Sequence, residues 1–205
     1  MFSFVEMELY VSPSHPKDDA RRRRGEDKED GVELPSKVYL FQGLPKADKM
    51  ELIIQKAVEL GVYEIIPVAA ERSVVKLDGK KEAGKLARWQ AIAEAAAKQS
   101  RRHIIPQIHP VMSMKGAISY ASFMDIRLFP YELAKDMGRT KETMEALRPG
   151  QSIAVFIGPE GGFGESEVRT AVDAGIQPIT MGRRILRTET AGLTILSWIM
   201  YHLEL

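Results

Sequence analysis

Two short stretches hold the residue types that do chemistry. GPEGGFGESE (158–167) sets four glycines around Glu160 and then offers Glu165 and Glu167. MGRRILRTETAG (181–192) packs Arg183, Arg184 and Arg187 beside Thr188, Glu189 and Thr190. Backbone N–H groups of a glycine loop that opens a helix attract anions, and a carboxylate inside the loop opposes that attraction. The loop also lacks the Gly-Lys-Ser/Thr ending of a phosphate-binding P-loop. Pro159 and Glu160 break the GxGxxG spacing of a dinucleotide site. Glu160 instead suits a ligand offering hydroxyls, amines or positive charge. A plainer alternative is a tight turn whose acid caps the helix, with the arginines as a solvated face and the threonines as caps.

These loops need elements to position them. QSIAVFI (151–157) is an apolar run before the first, and IQPIT (176–180) precedes the second. Further β-rich runs are KVYLF (37–41), YEIIPV (63–68), HIIPQI (103–108) and DIRLF (125–129). Helical patterns separate them, so the spacing predicts βαβ units and a largely parallel sheet. Asp48 with Glu51 resembles a capping box ahead of Met50, Ile53, Ile54, Ala57 and Leu60, and Gly61 is placed to end that helix. A second helix spans 83–99, with Leu86, Trp89, Ile92, Ala93 and Ala96 on one stripe. A third follows the glycine loop, with Val168, Ala171 and Val172 inward and Gly175 closing it. The last, about 189–204, is apolar on nearly every face, which calls for burial by its own domain or by a second subunit. Two polar, glycine-bearing loops then lie at the carboxyl ends of consecutive strands, where open α/β sheets bind ligands.

Composition narrows the classes. Lys+Arg 29 against Asp+Glu 28 gives a net charge of +1, so an RNA-binding surface must come from local clusters. The best clusters are Arg72 with Lys76 and Arg101 with Arg102; Arg21 to Arg24 add a basic arm that Glu26 to Asp30 nearly neutralise. The chain has no cysteine and four scattered histidines, which argues against disulfides and a metal centre. AGLTILSWIMY (191–201) is too short to cross a membrane, and Glu6 and Glu8 interrupt any signal-peptide pattern. Residues 1–36 are polar and charge-dense and are expected to form a reduced or disordered segment, with one folded domain over 37–205.

IGPEGGFGESEV together with MGRRILRTETA resembles the signature pair of the ribosomal small subunit methyltransferase E family, of the knotted SPOUT superfamily. KADKMELIIQKAVELGV, ERSVVK and RWQAIAEAAAKQSRR are similar to that family in order and spacing. The resemblance implies an α/β fold, mostly parallel, with a C-terminal trefoil knot. It also implies an S-adenosylmethionine-dependent enzyme methylating N3 of a uridine in 16S ribosomal RNA as a cytoplasmic homodimer. Phe129, Pro130, Tyr131, Ile157, Gly158, Glu160, Gly161, Gly162, Met181, Gly182, Ile185, Leu186 and Arg187 would then enclose the cofactor. Arg187 and Arg184 would stabilise charge on the uracil, with Glu189 as base or as orienter of the arginines. The family's N-terminal PUA-type barrel finds no counterpart in residues 1–36, which are too short for one. A non-catalytic RNA-binding or ribosome-assembly protein on the same knotted dimer is the competing expectation.

Overall fold

The computed structural model describes residues 32–75, 79–132, 134 and 136–204, and Glu33–Leu205 form one compact unit. Residues 33–36, assigned from the sequence to the N-terminal segment, pack as part of that body. Leu34 lies against Gly61, the Pro35 carbonyl accepts from the Gly150 N–H, and Ser36 Oγ donates to the Arg148 carbonyl.

A parallel sheet carries the unit. Its strands are β1 (Lys37–Gly43), β2 (Glu64–Ala69), β3 (Gln107–Ile108), β4 (Met112–Ser113), β5 (Ile126–Pro130), β6 (Ser152–Ile157) and β7 (Gln177–Ile179). The spatial order is β3-β2-β1-β6-β5-β7, with β4 further along the β2 edge, and every pairing is parallel. Helices cover both faces, which is why β1 and β6 read as apolar runs rather than alternating ones. On one face α1 (Lys49–Glu59), α2 (Gly79–Gln99) and α6 (Thr188–Glu204) close a core around Ile53, Ile54, Trp89, Ile153, Val155, Ile195 and Ile199. On the other, α3 (Met114–Ala121) and α5 (Glu165–Asp173) cover Phe41, Ile66, Phe129 and Phe156, with Phe41 and Phe156 stacked at 4.3 Å. A further helix, α4 (Met137–Glu145), packs by β7 and α6.

Most elements fall where the apolar runs put them, and SIAVFI forms β6 at the expected bounds. HIIPQI does not. Only Gln107–Ile108 pair with β2, because the N–H groups of His103 and Ile104 donate to Glu33 Oε1 instead of to a neighbouring strand. The expected capping box at Asp48 is also absent: its side chain caps nothing, and Glu51 pairs with Arg88 at 2.7 Å. Gly61 and Gly175 end α1 and α5 at φ of 86° and 79°, the left-handed region that favours glycine.

The strands run from β1 outward to β3 and β4, then restart on the other side of β1 with β5, β6 and β7. The carboxyl ends of β1 and β6 therefore flank the point where strand order reverses, the customary place for a ligand crevice.

Candidate cofactor cleft

The loops leaving β5, β6 and β7 surround a cleft of about 660 Å³. That volume suits a nucleoside-sized ligand. Of the cofactor residues expected from the sequence, all but Gly161 line it: Phe129, Pro130 and Tyr131 after β5, Ile157, Gly158, Glu160 and Gly162 after β6, and Met181, Gly182, Ile185, Leu186 and Arg187 after β7. Gly161 stands outside the lining, and its carbonyl accepts from the Arg72 guanidinium at 3.1 Å.

The first loop is a closed turn. Gly162 N–H donates to the Pro159 carbonyl at 2.9 Å, and Gly162 holds φ 68°. A Cβ on Gly158 would sit 3.1 Å from the Gly162 Cα, so any larger residue there would press the turn open by a few tenths of an ångström. Below it, Glu167 Oε2 accepts from the Gly164 N–H at the start of α5, while its Oε1 accepts from the Glu71 N–H. The loop after β2 is thereby tied to the glycine turn.

Glu160 is anchored on one side and lines the cleft on the other. Both its oxygens accept from the Lys46 N–H, at 3.1 and 3.2 Å, and Lys49 Nζ lies 3.1 Å from Oε1. Partial burial works to raise the carboxyl's pKa, but its own backbone, Lys49 and the Lys46 N–H together hold it below the ordinary glutamate value. It is therefore charged at neutral pH.

The second loop is joined to the first through Thr188. Its hydroxyl donates to the Gly158 carbonyl at 2.6 Å and accepts from Gln42 Nε2 at 2.9 Å. Gln42 is fully buried on β1, so one threonine connects β1, the glycine turn and the start of α6. Earlier in the loop, Gly182 (φ 102°) donates to Thr180 Oγ1. Arg183, Arg184 and Arg187 line the cleft, exposed and with side chains unpaired among the described residues. Glu189 is outside the lining, and its Oε2 lies 3.2 Å from Lys49 Nζ. Arg187 and Arg184 are thus brought to the cleft, whereas Glu189 is held behind it.

The expected RNA contacts divide. Arg72 belongs to the cleft wall. Arg101 is exposed at the end of α2 with φ 60°. Arg102 is a correction: its side chain is 3% exposed, pairs with Glu33 at 2.6 Å and donates to the Val58 and Val62 carbonyls, so it is turned into the fold and away from any phosphate. Lys76 and Arg21 to Arg24 lie outside the described residues. Gln42, Lys46, Lys49 and the bridging role of Thr188 were not anticipated, although Lys46 and Lys49 fall within KADKMELIIQ.

The donor set fits S-adenosylmethionine. Ile185 and Leu186 offer apolar surface to a base, with Phe129 and Ile157 buried in the wall, Gly162 and Gly182 have no neighbour within 4 Å of where a Cβ would stand, and Glu132, Glu160, Glu165, Arg72, Arg183, Arg184 and Arg187 put both signs of charge around one cleft. A ligand with a cationic centre, an ammonium and a carboxylate meets both signs of charge there. Among the described residues no cluster of metal-binding side chains occurs, and no helix is long and apolar enough to cross a membrane.

Residues 32–200 match the family model described as an RNA methyltransferase domain. The chain is 43% identical over 176 residues to the Ribosomal RNA small subunit methyltransferase E of Bacillus subtilis, covering 84% of this chain and 69% of that one. Among solved structures it resembles the methyltransferase E of Neisseria gonorrhoeae bound to S-adenosyl methionine, at 38% identity and TM-score 0.73, covering 83% of this chain and 68% of the other. It also resembles a putative methyltransferase of Legionella pneumophila in complex with the same cofactor, at 34% identity and TM-score 0.75, covering 82% and 67%.

Proposed function

Because this chain belongs to the RNA methyltransferase domain family, among the small subunit methyltransferase E proteins, we propose that it is an S-adenosylmethionine-dependent ribosomal RNA methyltransferase acting on N3 of a uridine in 16S RNA. The observation that carries this reading is the cleft itself, built from the three strand exits that the family resemblance singled out and free of any P-loop. Bound there, S-adenosylmethionine supplies an electrophilic methyl group on a sulfonium.

The chain's own residues do the rest. Ile157, Ile185 and Leu186 exclude water from the base, and Glu160 accepts from the ribose or the amino end. As uridine N3 takes the methyl, its weakly acidic proton passes to water, and the negative charge it leaves on the ring spreads onto the uracil oxygens. A fixed cation beside those oxygens lowers that cost, and a preorganised donor of this type is worth about 10²–10³ in rate. Arg187 is the first candidate for the role and Arg184 the second, both exposed at the cleft and unpaired among the described residues. Glu189, beside Lys49, is a positioning group rather than the base.

The same reading brings a homodimer, a C-terminal trefoil knot and a cytoplasmic setting. The dimer draws support from α6, where Leu193, Trp198 and Met200 are only partly covered and Tyr201 is 67% exposed. Labelled S-adenosylmethionine incubated with small ribosomal subunits lacking the modification tests the proposal. The expected product is 3-methyluridine in 16S RNA. Binding of the cofactor with no methyl transferred would favour a non-catalytic RNA-binding role.

A further inference from the structure

We infer that Lys49 is a positioning residue for the cofactor cleft: its single ammonium clamps the glycine turn, through Glu160, to the first turn of α6, through Glu189. The inference rests on the methyltransferase reading. Lys49 Nζ stands 3.1 Å from Glu160 Oε1 and 3.2 Å from Glu189 Oε2, and its side chain is 28% exposed. It does not itself line the cleft.

Lys49 is the first residue of α1, where a cation opposes the helix macrodipole. Local helix preference therefore gives no reason for a lysine there; its two partners do. They come from separate loops, Glu160 after β6 and Glu189 at the start of α6, more than a hundred residues along the chain from α1. Without the ammonium, two carboxylates drawn to one point would repel each other. Glu189 Oε2 is buried and has no aligned hydrogen-bond donor, so Lys49 is the charge that compensates it. The Thr188 hydroxyl fastens the same two loops at Gly158, one residue from Glu189. Glu160 would then reach its ligand from a position set by α1, and an effect on Glu189 would reach the cofactor through Lys49.

Calorimetric titration of S-adenosylmethionine into the whole chain tests this, with melting temperature measured alongside. Lys49→Met should weaken binding about tenfold, as expected for loss of a charge-assisted contact. Lys49→Arg should recover most of that loss. Glu189→Gln should weaken binding about threefold although Glu189 is outside the cleft, since coupled residues do not act independently. In a Glu160→Gln background, Lys49→Met should cost less than about twofold more. Unchanged affinity in Lys49→Met would overturn the inference. So would a full additive loss on Glu160→Gln, or a loss that follows a lowered melting temperature and is not rescued by arginine. A wild-type chain that gives no binding heat would instead overturn the methyltransferase reading beneath it.

Discussion

The two ends of the sheet use ion pairs for different ends. At the amino end, Arg102 is 3% exposed and spends its guanidinium on Glu33 and on the Val58 and Val62 carbonyls, while Glu64 accepts from His109 and Tyr120 at 2.7 and 2.9 Å. Those networks turn their charges toward partners within the fold. At the carboxyl end, Lys49 pairs with Glu160 in the cleft wall and with Glu189 outside it, and Arg183, Arg184 and Arg187 bring to the cleft cations that are unpaired among the described residues. The difference separates a charge that maintains the fold from one held ready for a ligand. Adjacent arginines in a sequence cannot be sorted this way, because the sorting depends on which backbone carbonyls come near.

The largest effect should come from breaking the amino end. Arg102→Ala leaves the partly buried Glu33 with only the His103 and Ile104 N–H groups and strips the Val58 and Val62 carbonyls of their donor, and should cost about 3 kcal/mol in chemical denaturation, the low end of the range for a broken buried pair. Cofactor affinity of the remaining folded protein should be unchanged. Arg187→Ala is the converse. Its denaturation midpoint should move by no more than about 0.5 kcal/mol, while methyl transfer at saturating cofactor falls about 10²-fold. A variant that lost stability instead would erase the contrast between the two ends.

Thr188→Val sits between them. It keeps the shape but removes the bonds to Gly158 and Gln42, and should cost about 1–3 kcal/mol together with cofactor affinity. The smallest effect is in acid. Burial raises the Glu33 carboxyl, yet Arg102 and the His103 and Ile104 N–H groups hold it below the ordinary glutamate value. A depressed carboxyl stabilises the fold above its unfolded pKa, and that stabilisation is lost as the pH falls below about 4.3. Denaturation of Arg102→Ala should show a flatter acid limb than wild type.

Much of this was legible in the sequence where the signal is local. SIAVFI is an apolar run between turn residues, and it forms β6 as read. The two glycine-bearing loops supply most of the cleft lining, with Phe129 to Glu132 after β5 and Arg72 completing it. Short polar helices escaped notice: α4 buries only Thr140, so MGRTKETME carries no apolar stripe. HIIPQI misled because its strand pattern lost its backbone donors to Glu33, some seventy residues away. The bonds that fasten the site are of the same nonlocal type, Lys46 to Glu160 across 114 residues and Gln42 to Thr188 across 146. No periodicity within a window reveals a partner at that separation.

The central claim is that the cleft after β5, β6 and β7 holds S-adenosylmethionine, and calorimetry of wild type beside Gly162→Val tests it most directly. Gly162 lines the cleft at φ 68°, a conformation that a branched side chain resists. The account predicts saturable binding of the cofactor to wild type and its loss, by about tenfold or more, in the variant. Equal affinity in the two proteins, or no binding heat in wild type, would contradict it.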